Sequence, residues 1–130
     1  MSTKLQLPPL LVSRPRNQQL FLRFVAPALV GAVAGIALGA SAPLYWILQV
    51  LAALGGFLAG IEHRGATEGA IRGVAGGAIY GAFILILHEL SGAEAEAELG
   101  EVSIFLVVVT ALAGAGLGAL GSAWRARRTD

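Results

Sequence analysis

Four long apolar runs, each bounded by polar or charged positions, divide the chain at residues 20–40, 43–61, 67–89 and 102–124. Each reaches the roughly 20 apolar residues that an α-helix needs to cross a bilayer, and none alternates as a half-buried strand does. The first break is only a few residues long. Ser41 suits the cap of the second helix and Pro43 its first turn. Glu62, His63 and Arg64 make the second break, with Thr67 as the expected cap of the third helix. The third break reads SGAEAEAELGE and belongs in water. Pro8, Pro9 and Pro15 keep residues 1–19 out of a helix, where Leu5, Leu7, Leu10, Leu11 and Val12 can rest on a membrane surface or form part of a short basic tail. Pro27 is expected to kink the first helix or to sit in its first turns. The pattern predicts an all-α integral membrane protein: a basic tail at 1–19, four transmembrane helices over 20–124, and a second basic tail at 125–130.

Composition sharpens this picture. Charged residues make up 13% of the 130 positions, too few to cover a water-facing surface, since soluble domains carry about a quarter. The net charge of +1 gives no case for nucleic acid, and the lack of cysteine removes disulfides and thiolate chemistry. Four spans place both termini and the middle break on one side. That side collects all nine Lys and Arg residues, while five of the eight acids fall on the other. The positive-inside rule then predicts cytoplasmic termini. The first run also has the outline of a leader peptide, with Ala40, Ser41 and Ala42 as small residues at its end. Its length and the proline at position 43 favour a span.

Glycine is the strongest local signal. Gly65, Gly69, Gly73, Gly77 and Gly81 stand four apart, and Gly31, Gly35 and Gly39 repeat the step in the first span. A step of four draws a slowly winding stripe along a helix, where another backbone can approach closely, as in glycine-zipper packing. The spacing leaves open whether the stripe packs within one bundle or forms the interface of a homo-oligomer.

Polar residues inside the spans are the candidates for chemistry. Gln49, Tyr80 and Thr110 can form one cluster that lines a path, or each can hydrogen-bond a neighbouring helix. Glu68 and Arg72 are four apart and can pair on one helix face or act as a gate. His88, Glu89, Glu94, Glu96, Glu98 and Glu101 make an acidic outer mouth able to concentrate cations, or simply a solvated loop. His88-Glu89 lacks the second histidine of a zinc protease motif, and His63 falls on the other side of the membrane. No metal, cofactor or catalytic residue is expected, and an enzyme is not the reading.

The segment GGFLAGIEHRGATEGAIRGVAGGAIYGAFIL, within residues 51–87, resembles small glycine-rich four-helix membrane proteins of bacteria and archaea that carry no assigned function. That resemblance implies the plasma (inner) membrane of a prokaryote and nothing about activity. The first span lacks the glutamate of small multidrug transporters, and the Asn and Phe/Thr-rich motifs of small fluoride channels are missing. Three functions stay open: a homo-oligomeric channel or small transporter with a cation-attracting outer face, a scaffold that packs a membrane protein partner on its glycine stripe, and a holin-like protein that perturbs the lipid bilayer.

Overall fold

The computed structural model describes residues 9–92, 94 and 104–129. Four helices fill it: α1 (Arg16–Leu38), α2 (Ala42–Ile61), α3 (Ala66–Ser91) and α4 (Ile104–Thr129). All four are long and apolar enough to cross a membrane. At 1.5 Å per residue, the 20 residues of α2 span about 30 Å, the thickness of a bilayer's hydrocarbon core. Their outward faces carry Leu29, Val33 and Ile36 on α1, Ile47 and Leu54 on α2, Ile71 and Ile86 on α3, and Leu112 and Leu120 on α4, all exposed. That reverses the pattern of a water-soluble bundle and is compatible with a multi-pass membrane protein.

Helix ends follow local chemistry. Pro15 is extended and stands immediately before α1, so it starts the helix rather than breaking one. A widened π-type turn at Phe21–Val25 precedes Pro27. Proline lacks an N–H and crowds the carbonyl four residues back, and the wide turn accommodates both defects. Ser41 caps α2, its hydroxyl accepting the Leu44 N–H at 3.3 Å. Helix α3 begins after Gly65, which caps it two residues ahead of the expected Thr67. It ends at Gly92, whose φ of +68° suits a residue without a Cβ.

The two hairpins interlock around α3. It packs most extensively on α4 and then on α1, while α2 rests mainly on α4 and touches α1 only sparingly. At the end away from the α2–α3 turn, Ala34, Ala37, Leu38, Tyr45, Tyr80 and Ile84 form the buried core. Tyr45 is 1% exposed, whereas Trp46, about 100° further round the helix, stays on the surface.

Close approach depends on glycine along α3 and α4. A Cβ at Gly73 would collide with the Gly114 carbonyl, one at Gly69 with the Gly118 carbonyl, and one at Gly77 with the Thr110 carbonyl. Each step of four along α3 meets a step of four back along α4. On another side of α3, Gly31 and Gly35 of α1 lie against the carbonyls of Tyr80 and Ile84. The stripe of Gly69, Gly73, Gly77 and Gly81 is therefore filled by the chain's own last helix, the packing within one bundle that the spacing left open beside an oligomer interface. Gly65 has no neighbour within 4 Å of a built Cβ, and Gly39 only ends α1.

The segment before α1 is not a loose tail over its described part. A short 3-10 turn at Leu11–Ser13 inserts Leu11, which is 0% exposed, at the turn end of the bundle. The Leu11 N–H donates to the Glu62 carbonyl at 3.0 Å. The sequence offered Leu11 to a membrane surface or to a short basic tail; burial inside the bundle removes more of its apolar area from water than either.

Candidate functional site

The α2–α3 turn carries the densest polar network. Glu62 is buried, and its two carboxylate oxygens each accept from a different arginine. Arg14 Nε donates to Oε2 at 2.8 Å and Arg72 Nη1 to Oε1 at 2.7 Å. Arg72 also donates to the Ala59 carbonyl at 3.2 Å, which accepts the Glu62 N–H at 3.1 Å as well. Arg125 of α4 donates to the Ile61 carbonyl at 2.6 Å. Ser122, fully buried, donates to the Gly60 carbonyl at 2.7 Å. The turn is thus held from the N-terminal segment, α3 and α4 together.

Arg72 does not pair with Glu68, contrary to their spacing. Glu68 lies in the first turn of α3 and its side chain is 68% exposed, while Arg72 turns back toward the buried carboxylate. A desolvated acceptor binds a guanidinium more strongly than a solvated one does. Glu68 instead stands 4.0 Å from His63 Nδ1. Arg72 Nη1 lies 3.5 Å from His63 Nε2. Since arginine only donates, this contact is a hydrogen bond only in the tautomer that carries its proton on Nδ1, toward Glu68.

Burial pushes the His63 pKa below 6.5; Arg72 and Arg23 push the same way, and Glu68 and Glu62 oppose them. On acidification the unfolded chain takes this proton before the folded one. The stability tied to neutral His63 is therefore complete above 6.5 and lost as pH falls through the lowered folded value. The melting temperature in detergent should drop between about pH 7 and pH 5, and His63→Gln should flatten that slope. An equal slope in both proteins would remove His63 as the sensor.

Above this network lies a chamber of about 740 Å³ inside the bundle. Helix α1 contributes Arg23, Pro27 and Val30, and α2 contributes Gln49, Ala52, Gly55 and Gly56. Gly73, Gly76 and Tyr80 of α3, with Thr110, Gly114 and Leu117 of α4, make the rest of the wall. Its turn end reaches Arg14, Glu62 and Arg72. Tyr80 also belongs to the buried core at the opposite end. The sparse packing of α1 on α2 leaves the chamber open on that side, past Val30, Leu51 and Leu58, all exposed. The space exists because Gly55 and Gly76 project nothing into it: a Cβ at Gly55 would meet no atom within 4 Å, and one at Gly76 only Pro27 Cγ at 3.9 Å.

No family model, curated protein or solved structure matches the chain. What the site can do is read from its geometry.

Gln49, Tyr80 and Thr110, singled out as polar residues in apolar spans, stand in the walls of this one chamber. The two hydroxyls differ in commitment. The Thr110 hydroxyl has its own carbonyls at Leu106 and Val107 within reach, both at 3.0 Å. The Tyr80 hydroxyl is buried with no hydrogen-bond partner among the described residues. Of the acidic mouth, Glu89 and Glu94 are exposed and His88 is half-buried beside them in sequence; Glu96, Glu98 and Glu101 lie outside the described residues. Sequence reading missed Glu62, Arg14 and Ser122. A signal for Ser122 was present, since Gly114, Gly118 and Ser122 continue the four-residue step on α4.

Proposed function

We propose that this chain is a small multi-pass membrane carrier that holds its solute inside one four-helix bundle. The chamber is the observation that carries the reading: its volume of about 740 Å³ falls in the roughly 300–1,000 Å³ range of small-molecule sites. Its wall is mostly apolar, with a few convergent polar groups and a charge cluster at one end, as such sites usually are. An arginine–glutamate pair set among apolar spans marks a functional site by default.

In this reading the four helices cross the plasma membrane of a prokaryote, with the basic turn end and both termini in the cytoplasm. A glycine zipper between α3 and α4 holds the bundle together in lipid, where no hydrophobic drive acts between helices. The carrier needs no second copy to complete its chamber. The scaffold alternative draws less support, because α4 already occupies the stripe a partner would use.

Gly55→Trp tests the proposal. The indole would enter the chamber without touching the α3–α4 contact, since nothing stands within 4 Å of that Cβ. Uptake of labelled organic anions, cations and neutral solutes into proteoliposomes should include at least one transported class. That uptake should fall at least about tenfold in Gly55→Trp, with the melting temperature unchanged. Equal uptake by both proteins would remove the chamber as the path.

A further inference from the structure

We infer that the chamber takes a single-chain amphipath with an anionic head group, drawn sideways from the membrane between α1 and α2. This rests on the carrier reading for its purpose, but its physical basis is separate. Three features of the chamber define the occupant.

The first is charge. Three arginines, Arg14, Arg23 and Arg72, line the chamber, against the single acidic residue Glu62. Arg14 and Arg72 are both engaged by that carboxylate. Arg23 is exposed and has no carboxylate partner among the described residues. Its field nonetheless reaches the buried turn, where it disfavours a proton on His63. The turn end of the chamber thus keeps an excess of positive charge, and Arg23 is the donor left for a carboxylate or phosphate.

The second is the unpartnered hydroxyl at the other end. Tyr80 is 7% exposed, stands in the chamber wall, and leaves its O–H without an acceptor among the described residues. A buried hydroxyl is normally hydrogen-bonded, and an occupant whose one polar group stays at the turn end leaves this one unpaired, so Tyr80 bounds the far wall and does not select the head group.

The third is the shape of the opening. Val30, Leu51 and Leu58 line the gap between α1 and α2 and are exposed on the flank of the bundle that lipid would cover. An apolar chain passes such a gap without leaving hydrocarbon, while its head stays near the snorkelling Arg23. The volume suits one chain rather than two.

The test is photolabelling of the full chain in neutral-detergent micelles with laurate that carries a terminal diazirine, mapped by mass spectrometry. Labels are expected on chamber residues of α2 and α3, displaced by excess laurate or dodecyl phosphate. Arg23→Gln should weaken laurate binding about tenfold, the loss of one charge-assisted hydrogen bond. Tyr80→Phe should leave laurate binding unchanged, because the carboxylate stays at the turn end, with the melting temperature of the free protein equal or higher. Gly55→Trp should abolish the labels. Displacement by inorganic phosphate would make the source a water-borne anion and overturn the membrane route. Equal displacement by dodecyltrimethylammonium, or undiminished labelling in Gly55→Trp, would also overturn it. Laurate binding without any flux would end the carrier reading and leave this inference standing. Flux blocked by Gly55→Trp without laurate binding would do the reverse.

Discussion

Gly73→Leu should abolish the stable bundle. A Cβ at this position collides with the carbonyl oxygen and carbon of Gly114 and comes within 2.9 Å of the Ala115 nitrogen. These are backbone atoms, so no rotamer change makes room. The helices must separate, and separation at this level opens the equally close levels at Gly69 and Gly77. An overpacked core position costs about 1–3 kcal/mol even where side chains can yield. Here the neighbours are rigid, and leucine adds three more carbons than the colliding Cβ. Against a total stability of about 5–15 kcal/mol, the loss should be seen as a collapsed melting temperature in detergent, followed by circular dichroism. Gly55→Ala and Gly116→Ala are the matched controls, because neither Cβ would meet an atom within 4 Å. Each should leave stability unchanged or raise it by up to about 1 kcal/mol through helix propensity. A Gly73→Leu protein that melts like the wild type would disprove the α3–α4 contact.

Glu62→Ala should be the most damaging change of a charged residue. It leaves the guanidiniums of Arg14 and Arg72 facing each other across a site whose carboxylate side chain is only 8% exposed. Removing one partner of a buried pair costs about 3–5 kcal/mol, and the partial exposure of Arg14 puts the expectation near the lower end. Arg72→Leu added to Glu62→Ala should recover part of the loss, because it removes one uncompensated charge. A second readout uses the lack of native cysteine. Leu11→Cys should react slowly with a maleimide in the native background and quickly once Glu62 is alanine, as the N-terminal turn leaves its socket. Unchanged reactivity would show that the turn is held without Glu62.

The helices were legible because hydrophobic runs of bilayer length admit few other folds. Apolar runs at 43–61 and 67–89 became Ala42–Ile61 and Ala66–Ser91. The first and last helices run further than expected at their polar ends. Pro15 starts α1 instead of barring it, and α4 continues through its arginines, with the Arg128 guanidinium 5.2 Å from the centre of the Trp124 ring. Which helix fills a glycine stripe is a three-dimensional question, so the α3–α4 contact was visible in the sequence only as the ladder of α3, without its partner. The partners of Glu62 were hidden for a similar reason. Arg14 is 48 positions away, and the nearer spacing of Glu68 and Arg72 pointed to a pair that a more buried acceptor outcompetes. Gln49, Tyr80 and Thr110 stood out as polar atoms in apolar spans, but the space between them is made by what glycine and alanine leave out. An empty volume has no residue of its own to announce it.

The socket of Leu11 also sets an order of events during synthesis. Residues 11–14 leave the ribosome well before residue 62, which supplies the carbonyl that receives the Leu11 amide and the carboxylate that receives Arg14. The segment therefore has nowhere to dock until α2 and the turn after it have been made, and until then α1 stays unanchored at that end. Docking of the N-terminal turn then records that the first hairpin and the turn into α3 have reached their final positions.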